Sequence, residues 1–259
     1  MTLKLRICLL SFTIAFPVFK LCSGEQESFI KNGELDLKRC VEHFEDLYRS
    51  RSSHSRATLT IIRKQRKRSL TLEMWSLRRD YSLIRILQPV RDRGTATLRI
   101  DKNIWNFFPR IHRTIRIPPS MMLSPWMGSH FTNDDLVRES SFLDDYKYTL
   151  LGRDNAGNWT IEFAAKPDLV GLWNRIVLSV TPDGRLPVRA DYYDRKGRLA
   201  RKIEWSNPRM VSGRLIPMRL VIIPADTPGE KTILEYQSIT FDISLSESFF
   251  TISNLERRR

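Results

Sequence analysis

Cysteine is almost absent from this chain: Cys8, Cys22 and Cys40 are its three thiols in 259 residues. Two of them fall in the first 24 residues, which have the features of a removable targeting segment. That leaves Cys40, and one thiol can form neither an intramolecular disulfide nor a cysteine metal cluster. Cys40 is expected as a small buried hydrophobe on a helix. Histidine is also scarce, with His43, His54, His112 and His130 only. No pair has metal-ligand spacing and no HExxH sequence occurs, so no metal site is expected. His130 lies near Asp134 and Asp135, where a lone histidine is expected as a satisfied polar group. The sequence has no GxSxG, SxxK or Walker A string. Asp134/Asp135 and Asp144/Asp145 are adjacent acids, and neighbours on a strand point to opposite faces. No catalytic residues and no cofactor are expected, and the protein is not expected to be an enzyme.

Long apolar runs are missing after residue 19. Before that, Lys4 and Arg6 precede an apolar stretch from Ile7 to Phe19, and Cys22, Ser23 and Gly24 supply small residues before Glu25. This is the layout of a signal peptide covering 1–24, cleaved after Gly24. The apolar stretch is shorter than the ~20 residues that span a bilayer. Acylation at Cys22 is the alternative, but Lys20 and Leu21 are a poor context for it. The expectation is an exported, periplasmic protein with residues 25–259 forming one domain. Acids are outnumbered by bases: the net charge is +14, or +11 once Lys4, Arg6 and Lys20 are removed. Export argues against a nucleic-acid partner, so anionic head groups at a membrane surface are the candidate for this charge.

What the chain does contain is strand signal. Glu34 to Ser50 is the one substantial helical pattern, with Leu37, Cys40, Val41, Phe44, Leu47 and Tyr48 on one face. From Ala57 onward, β-branched and aromatic residues alternate with polar ones in short segments. Examples are Leu70, Leu72 and Met74, and then Trp159, Ile161 and Phe163. About eleven strand signals at regular spacing predict an antiparallel sandwich or barrel, and the lack of βαβ alternation excludes a nucleotide-binding α/β fold.

The strand pattern fails between Pro109 and Asp145. Pro118, Pro119 and Pro125 punctuate a segment that carries Met121, Met122, Trp126, Met127 and Phe131. Loops of this length with their own apolar load are often functional, and methionine suits surfaces that fit variable apolar ligands. These residues are candidates to line or cover a cavity. Within the segment, Thr132-Asn133-Asp134-Asp135-Leu136 reads as a helix N-terminus, with Thr132 or Asn133 as the cap.

The stretch from Asn103 to Asp145 closely resembles the signature of the periplasmic outer-membrane lipoprotein-sorting family, relatives of the LolA/LolB carriers. The matching elements are an aromatic strand (Trp105, Phe107, Phe108), a basic link (Arg110, Arg113, Arg116), the run from Ile117 to Met122, and Met127-Gly128-Ser129 leading to Phe131 and Leu136. The resemblance implies a mainly β fold. Specifically, it implies a half-open antiparallel β-barrel of about eleven strands around an apolar cavity, with an N-terminal helix and lid helices or loops. It implies binding of lipoprotein acyl chains or other lipids without catalysis, and an inner-membrane exporter as a possible partner. Trp105, Phe107, Met121, Met122, Trp126, Met127 and Phe131 are then the expected lipid-binding and lid residues, with Arg110, Arg113 and Arg116 as a basic rim. Two other readings compete. One is a non-catalytic adaptor of an inner-membrane exporter whose apolar interior is only core. The other is a hydrolase, which would need convergent polar groups in the cavity.

Overall fold

The computed structural model describes residues 29–48, 50–137, 142–167 and 173–257. The expected targeting segment, with Cys22, lies outside the described residues. The described chain opens with a small hairpin of β1 (Ile30–Lys31) and β2 (Glu34–Leu35). Helix α1 (Leu37–Asp46) follows, capped by Asp36, whose carboxylate accepts from the Arg39 N–H at 3.3 Å. The helix is shorter than the periodicity suggested. Glu34 and Leu35 belong to the hairpin instead, because Asp36 stops them from joining the helix by taking the capping position.

Two antiparallel meanders make up the rest. The first runs β3 (Ser52–Arg63), β4 (Arg66–Leu77), β5 (Tyr81–Gln88), β6 (Ala96–Ile100), β7 (Asn103–Phe108) and β8 (Arg113–Arg116). The second runs β9 (Tyr146–Arg153), β10 (Trp159–Ala165), β11 (Arg175–Val180), β12 (Pro187–Tyr193), β13 (Leu199–Val211), β14 (Arg214–Pro224) and β15 (Lys231–Phe241). Pairing of β15 with β3 joins them into one 13-stranded antiparallel sheet whose edges are β8 and β9. The edges do not pair with each other, so the sheet stays open. The count exceeds the expected eleven. β8, β9 and β11 were hidden in segments with weaker patterns, although β11 does carry alternating Ile176, Leu178 and Val180.

Register shows that one face is continuous. Phe163 pairs with Ile176, Ile176 with Tyr192 and Tyr192 with Arg201. Further round, Leu220 pairs with Leu234, Leu234 with Leu59 and Leu59 with Leu70. Direct cross-strand partners share a face, so these residues line a single inner surface. Helix α1 packs Cys40 and Val41 onto its β10–β12 side. The His43 ring contacts the Arg185 carbonyl at 2.9 Å, and the Tyr48 hydroxyl donates to the Pro217 carbonyl at 2.6 Å. Cys40 is fully buried, and burial pushes its thiol up to about 12, so it is inert as a nucleophile.

The outer face of β4–β7 is covered by the chain's C-terminal segment. A 3-10 turn (Glu247–Phe249) and helix α4 (Ile252–Glu256) bring Phe250 and Leu255 against Leu83, Leu98 and Phe107. The Arg85 guanidinium donates to the Asn254 carbonyl at 2.7 Å and ties the segment down.

Candidate functional site: a latched lid over the inner face

Between β8 and β9 the chain leaves the sheet and crosses its inner face. It makes a 3-10 turn (Pro119–Met121), a second one (Trp126–Gly128), helix α2 (Asn133–Val137) and helix α3 (Phe142–Asp145). Proline starts the first turn because its fixed φ suits the opening of a helical turn. Trp126 is 3% exposed and fills the space above Leu59, Leu70 and Leu72. Its indole N–H donates to the Thr97 hydroxyl at 3.0 Å, which donates in turn to Asn106 Oδ1 at 2.6 Å. A buried indole therefore has its polar atom satisfied. Phe131 packs against both the β10–β13 and the β3–β4 halves of the interior.

The tip of this lid is held by side chains from the sheet. Arg68 donates to the Met127 carbonyl at 3.1 Å and Arg63 to the Gly128 carbonyl at 3.3 Å. The His130 backbone N–H donates to the Thr232 hydroxyl at 3.0 Å, and its ring Nδ1 lies 2.8 Å from the same oxygen. Glu230 Oε2 is 3.5 Å from His130 Nε2 and 2.6 Å from Arg63. Thr232, His130 and Glu230 thus line up as a hydroxyl, an imidazole and a carboxylate. Thr232 is fully buried, however, so no substrate can reach that hydroxyl. Burial and the Arg63 charge push the His130 pKa below its ordinary value, which leaves the ring neutral.

Asp135 is the centre of the lid. Its carboxylate accepts from the Thr132 N–H at 2.8 Å while the Thr132 hydroxyl accepts from the Asp135 N–H at 3.1 Å. This reciprocal cap starts α2 as the sequence suggested, with Thr132 as the capping residue. The same carboxylate takes both Arg201 Nη atoms at 2.7 Å. Both side chains are buried, at 15% and 8% exposure. Arg201 is sandwiched further, with its guanidinium 4.4 Å from the Trp173 ring and 4.6 Å from that of Tyr192. Burial raises the Asp135 carboxyl, but the Arg201 charge and the hydrogen bonds from Arg201 and Thr132 outweigh it. The carboxyl stays below its ordinary value.

Two cavities flank this ion pair. One, of about 180 Å³, is bounded by Phe131, Phe142, Trp173, Ile176 and Tyr192, with Asp135 and Arg201 at its wall. The other, of about 240 Å³, lies over β3–β5 and β15 and shares Asp135 and Leu136 with α2. Each is smaller than the ~300 Å³ at the low end of ordinary ligand sites. They meet at Asp135 of α2, the one residue common to both walls.

A family model described as "Uncharacterized protein" matches residues 78–257. The chain belongs to that family. The match runs from the β4–β5 turn to the end of α4, so it includes the lid, Arg201 and the C-terminal segment. No curated protein matches the chain. Among solved structures, a DUF1329 family protein from Desulfovibrio piger superposes with a TM-score of 0.76 at 24% identity, covering 84% of this chain and 96% of that one. A domain from Vibrio parahaemolyticus, named for outer-membrane lipoprotein sorting, gives 0.74 at 21% identity, with 85% and 98% covered. A LolA superfamily protein from Nitrosomonas europaea gives 0.69 at 21% identity, with 83% and 97% covered. The fold of this family member is therefore the LolA-type half-open barrel, as the resemblance implied.

Within that frame the expected site residues divide. Trp126, Met127 and Phe131 lie on the inner face, with Met127 packed beside Trp126. Met121 is 47% exposed and Met122 partly buried, and neither belongs to the apolar clusters that hold Trp126, Met127 and Phe131. Trp105 and Phe107 sit on the opposite face. Their neighbour Asn106 faces the lid, and period 2 sends them outward beneath the C-terminal segment. They do not share a surface with Trp126. The basic rim is also divided. Arg113 pairs opposite Phe108 and Arg116 opposite Trp105, so these two project from different faces of β8, while Arg110 is exposed in the preceding turn. Arg116 instead lies over the Trp105 ring, 5.9 Å from its centroid.

Sequence reading missed Arg201. The signal was there: Arg201, Ile203 and Trp205 alternate on β13, which puts an arginine in register with an apolar face. A charge in that position is rarely left without a purpose or a partner.

Proposed function

We propose that this protein is a periplasmic carrier that shelters the acyl chains of lipoproteins or other lipids on the inner face of its sheet and moves them toward the outer membrane. The observation that carries the reading is the lid. It fills the apolar inner face with its own Trp126 and Phe131, and polar contacts from Arg63, Arg68, Thr232 and Arg201 fasten it there as well. A chain that crosses water must hide methylene groups worth ~0.8 kcal/mol each, and a surface the protein itself can cover and uncover serves both loading and release. The names of the Vibrio and Nitrosomonas proteins point the same way. Nothing in the reading calls for catalysis, and the partners it implies are lipid cargo, an inner-membrane exporter and anionic head groups at the membrane surface.

One observation favours the adaptor reading: each cavity is below the size of an ordinary ligand site. The two readings separate in one experiment. The protein is purified from its native periplasm without detergent and examined by native mass spectrometry. A carrier shows a discrete added mass that organic extraction identifies as lipid. Protein that emerges lipid-free, and stays so after incubation with lipid vesicles, is an adaptor.

A further inference from the structure

The carrier reading leaves open which end of a lipid goes where, and the larger cavity answers this. Its floor is the inner face of β3–β5, and the composition of that face changes along the strands. One row pairs Leu234, Leu59 and Leu70. The next is Tyr236, Ala57, Leu72 and Ile86. Then come Ser55, Met74 and Ile84, and last Ser53, Ser76, Ser82 and Arg99. Six residues separate Leu59 from Ser53, which is about 20 Å of strand. Over that length the wall passes from wholly apolar to hydroxyl and guanidinium. The lid covers the apolar rows and leaves the serine rows to the cavity.

The polar end is rich in hydrogen-bond donors. Arg78, Arg79 and Arg99 border the cavity together with Ser53, Ser55, Ser76 and Ser82, and Asp135 is its one acid. Arginine has five N–H donors and no acceptor. Arg79 reaches Glu45 at 3.2 Å and Arg78 reaches Glu247 at 3.2 Å. Arg99 donates to the backbone carbonyls of Asp101 and Arg79. Ser53 and Ser76 face each other at 2.7 Å. The other cavity shares Asp135 but has Arg201 as its one base, and most of the rest of its wall is aromatic or aliphatic.

Resting on the carrier reading, we propose that the cargo is a phosphate-bearing amphiphile, held with its head group in the serine–arginine cavity and its chain running past α2 into the aromatic cavity. A donor-rich wall is complemented by an acceptor-rich group, and charge-assisted bonds from guanidinium to phosphate are the strongest of these. Met74, Ile84 and Leu136 border the head-group cavity on the side toward α2, where the first carbons of the chain would pass. The chain's path lies across the Asp135–Arg201 pair, so loading requires that α2 shift.

The test uses two soluble probes with one chain, 1-oleoyl lysophosphatidic acid and 1-monooleoylglycerol, titrated below their aggregation concentrations at fixed ionic strength. Inorganic phosphate serves as a head-only probe. Wild type is expected to bind lysophosphatidic acid about tenfold more tightly than monooleoylglycerol, a charge-assisted bond's worth. Arg79→Gln removes a donor and Ser82→Leu fills the head-group cavity. Both are expected to bring the ratio near one by weakening lysophosphatidic acid binding much more than monooleoylglycerol binding, while thermal unfolding reports that each variant is folded. Equal affinity for the two probes in wild type, or a ratio that survives both substitutions, overturns the head-group assignment and leaves the carrier reading standing. If neither probe binds, both fall. Inorganic phosphate that binds as tightly as lysophosphatidic acid overturns the amphiphile and makes this an anion site.

Discussion

Arg201 and Asp135 form the most consequential residue pair in the molecule. Two charges withdrawn from water are tolerated because each satisfies the other bidentately and two aromatic rings sandwich the guanidinium. Removing one partner strands the other. Asp135→Asn or Arg201→Leu is therefore expected to cost about 3–5 kcal/mol in urea unfolding. The double replacement Asp135→Leu with Arg201→Met is expected to cost much less than the two singles together, since no buried charge remains. Because the folded-state pKa of Asp135 is depressed, its contribution is present above the ordinary carboxylate value and lost as pH falls through the folded one. The latch therefore holds at neutral and mildly acidic pH. His130 behaves differently. Its folded pKa is also lowered, chiefly by burial, but from an ordinary value of 6.5. The unfolded chain thus binds a proton first as pH drops, and stability declines from about pH 6.5 downward. Melting temperature followed from pH 7.5 to 5 is expected to fall less steeply in His130→Gln than in wild type. His43 is lowered in the same sense and supplies the slope that remains.

At the scale of elements, the lid and the N-terminal hairpin are each held by one tight fit. Trp126 anchors the lid, and Trp126→Ala is expected to cost about 3–5 kcal/mol if the lid unfolds only with the sheet. If the lid opens by itself, most of that loss appears locally. Amides of residues 126–136 then lose hydrogen-exchange protection in the variant while those of β3 and β4 keep theirs. The second pattern is the one the proposed carrier function requires, since its lid must move without unfolding the barrel. The β1–β2 hairpin rests on the turn before β12 at Gly184, where φ is +74° and an added Cβ would lie 2.6 Å from Leu35 and 2.9 Å from Phe29. Gly184→Ala combines backbone strain of about 1–2 kcal/mol with this clash. It is expected to lower the melting temperature and to expose Cys40, whose thiol sits 3.4 Å from the Gly184 carbonyl, to thiol reagents.

For the whole molecule, a ligand that binds the folded barrel and not the unfolded chain stabilises it by about 2.7 kcal/mol at a hundredfold excess over Kd. For a chain of this size that is a rise of roughly 5–10 °C in melting temperature. A lipid that copurifies and gives no such shift is bound elsewhere than inside. Much of this architecture was legible in advance. Alternating residues such as Trp159, Ile161 and Phe163 dictate strands with one buried face, because side chains on a strand alternate sides wherever the strand is placed. The Thr132–Asp135 cap was readable for the same local reason: its four residues contain all its hydrogen bonds. Which face of the finished sheet a residue joins was another matter. Trp105 and Phe107 share the alternation of lid-facing Asn106 but fall on the other side, and only the docking of the C-terminal segment turns that side into buried surface. Arg113 and Arg116 are three apart, so the strand formed by β8 separates what a helix would have gathered. The partner of Arg201 lies 66 residues away in sequence, across a contact made only when the lid folds back over β13. Sequence alone determined most of the strands, the cap and the apolar load of the lid, all of which depend on near neighbours. The latch, the two cavities and the division of the aromatic residues between two faces came from tertiary structure, because each depends on surfaces brought together from distant parts of the chain.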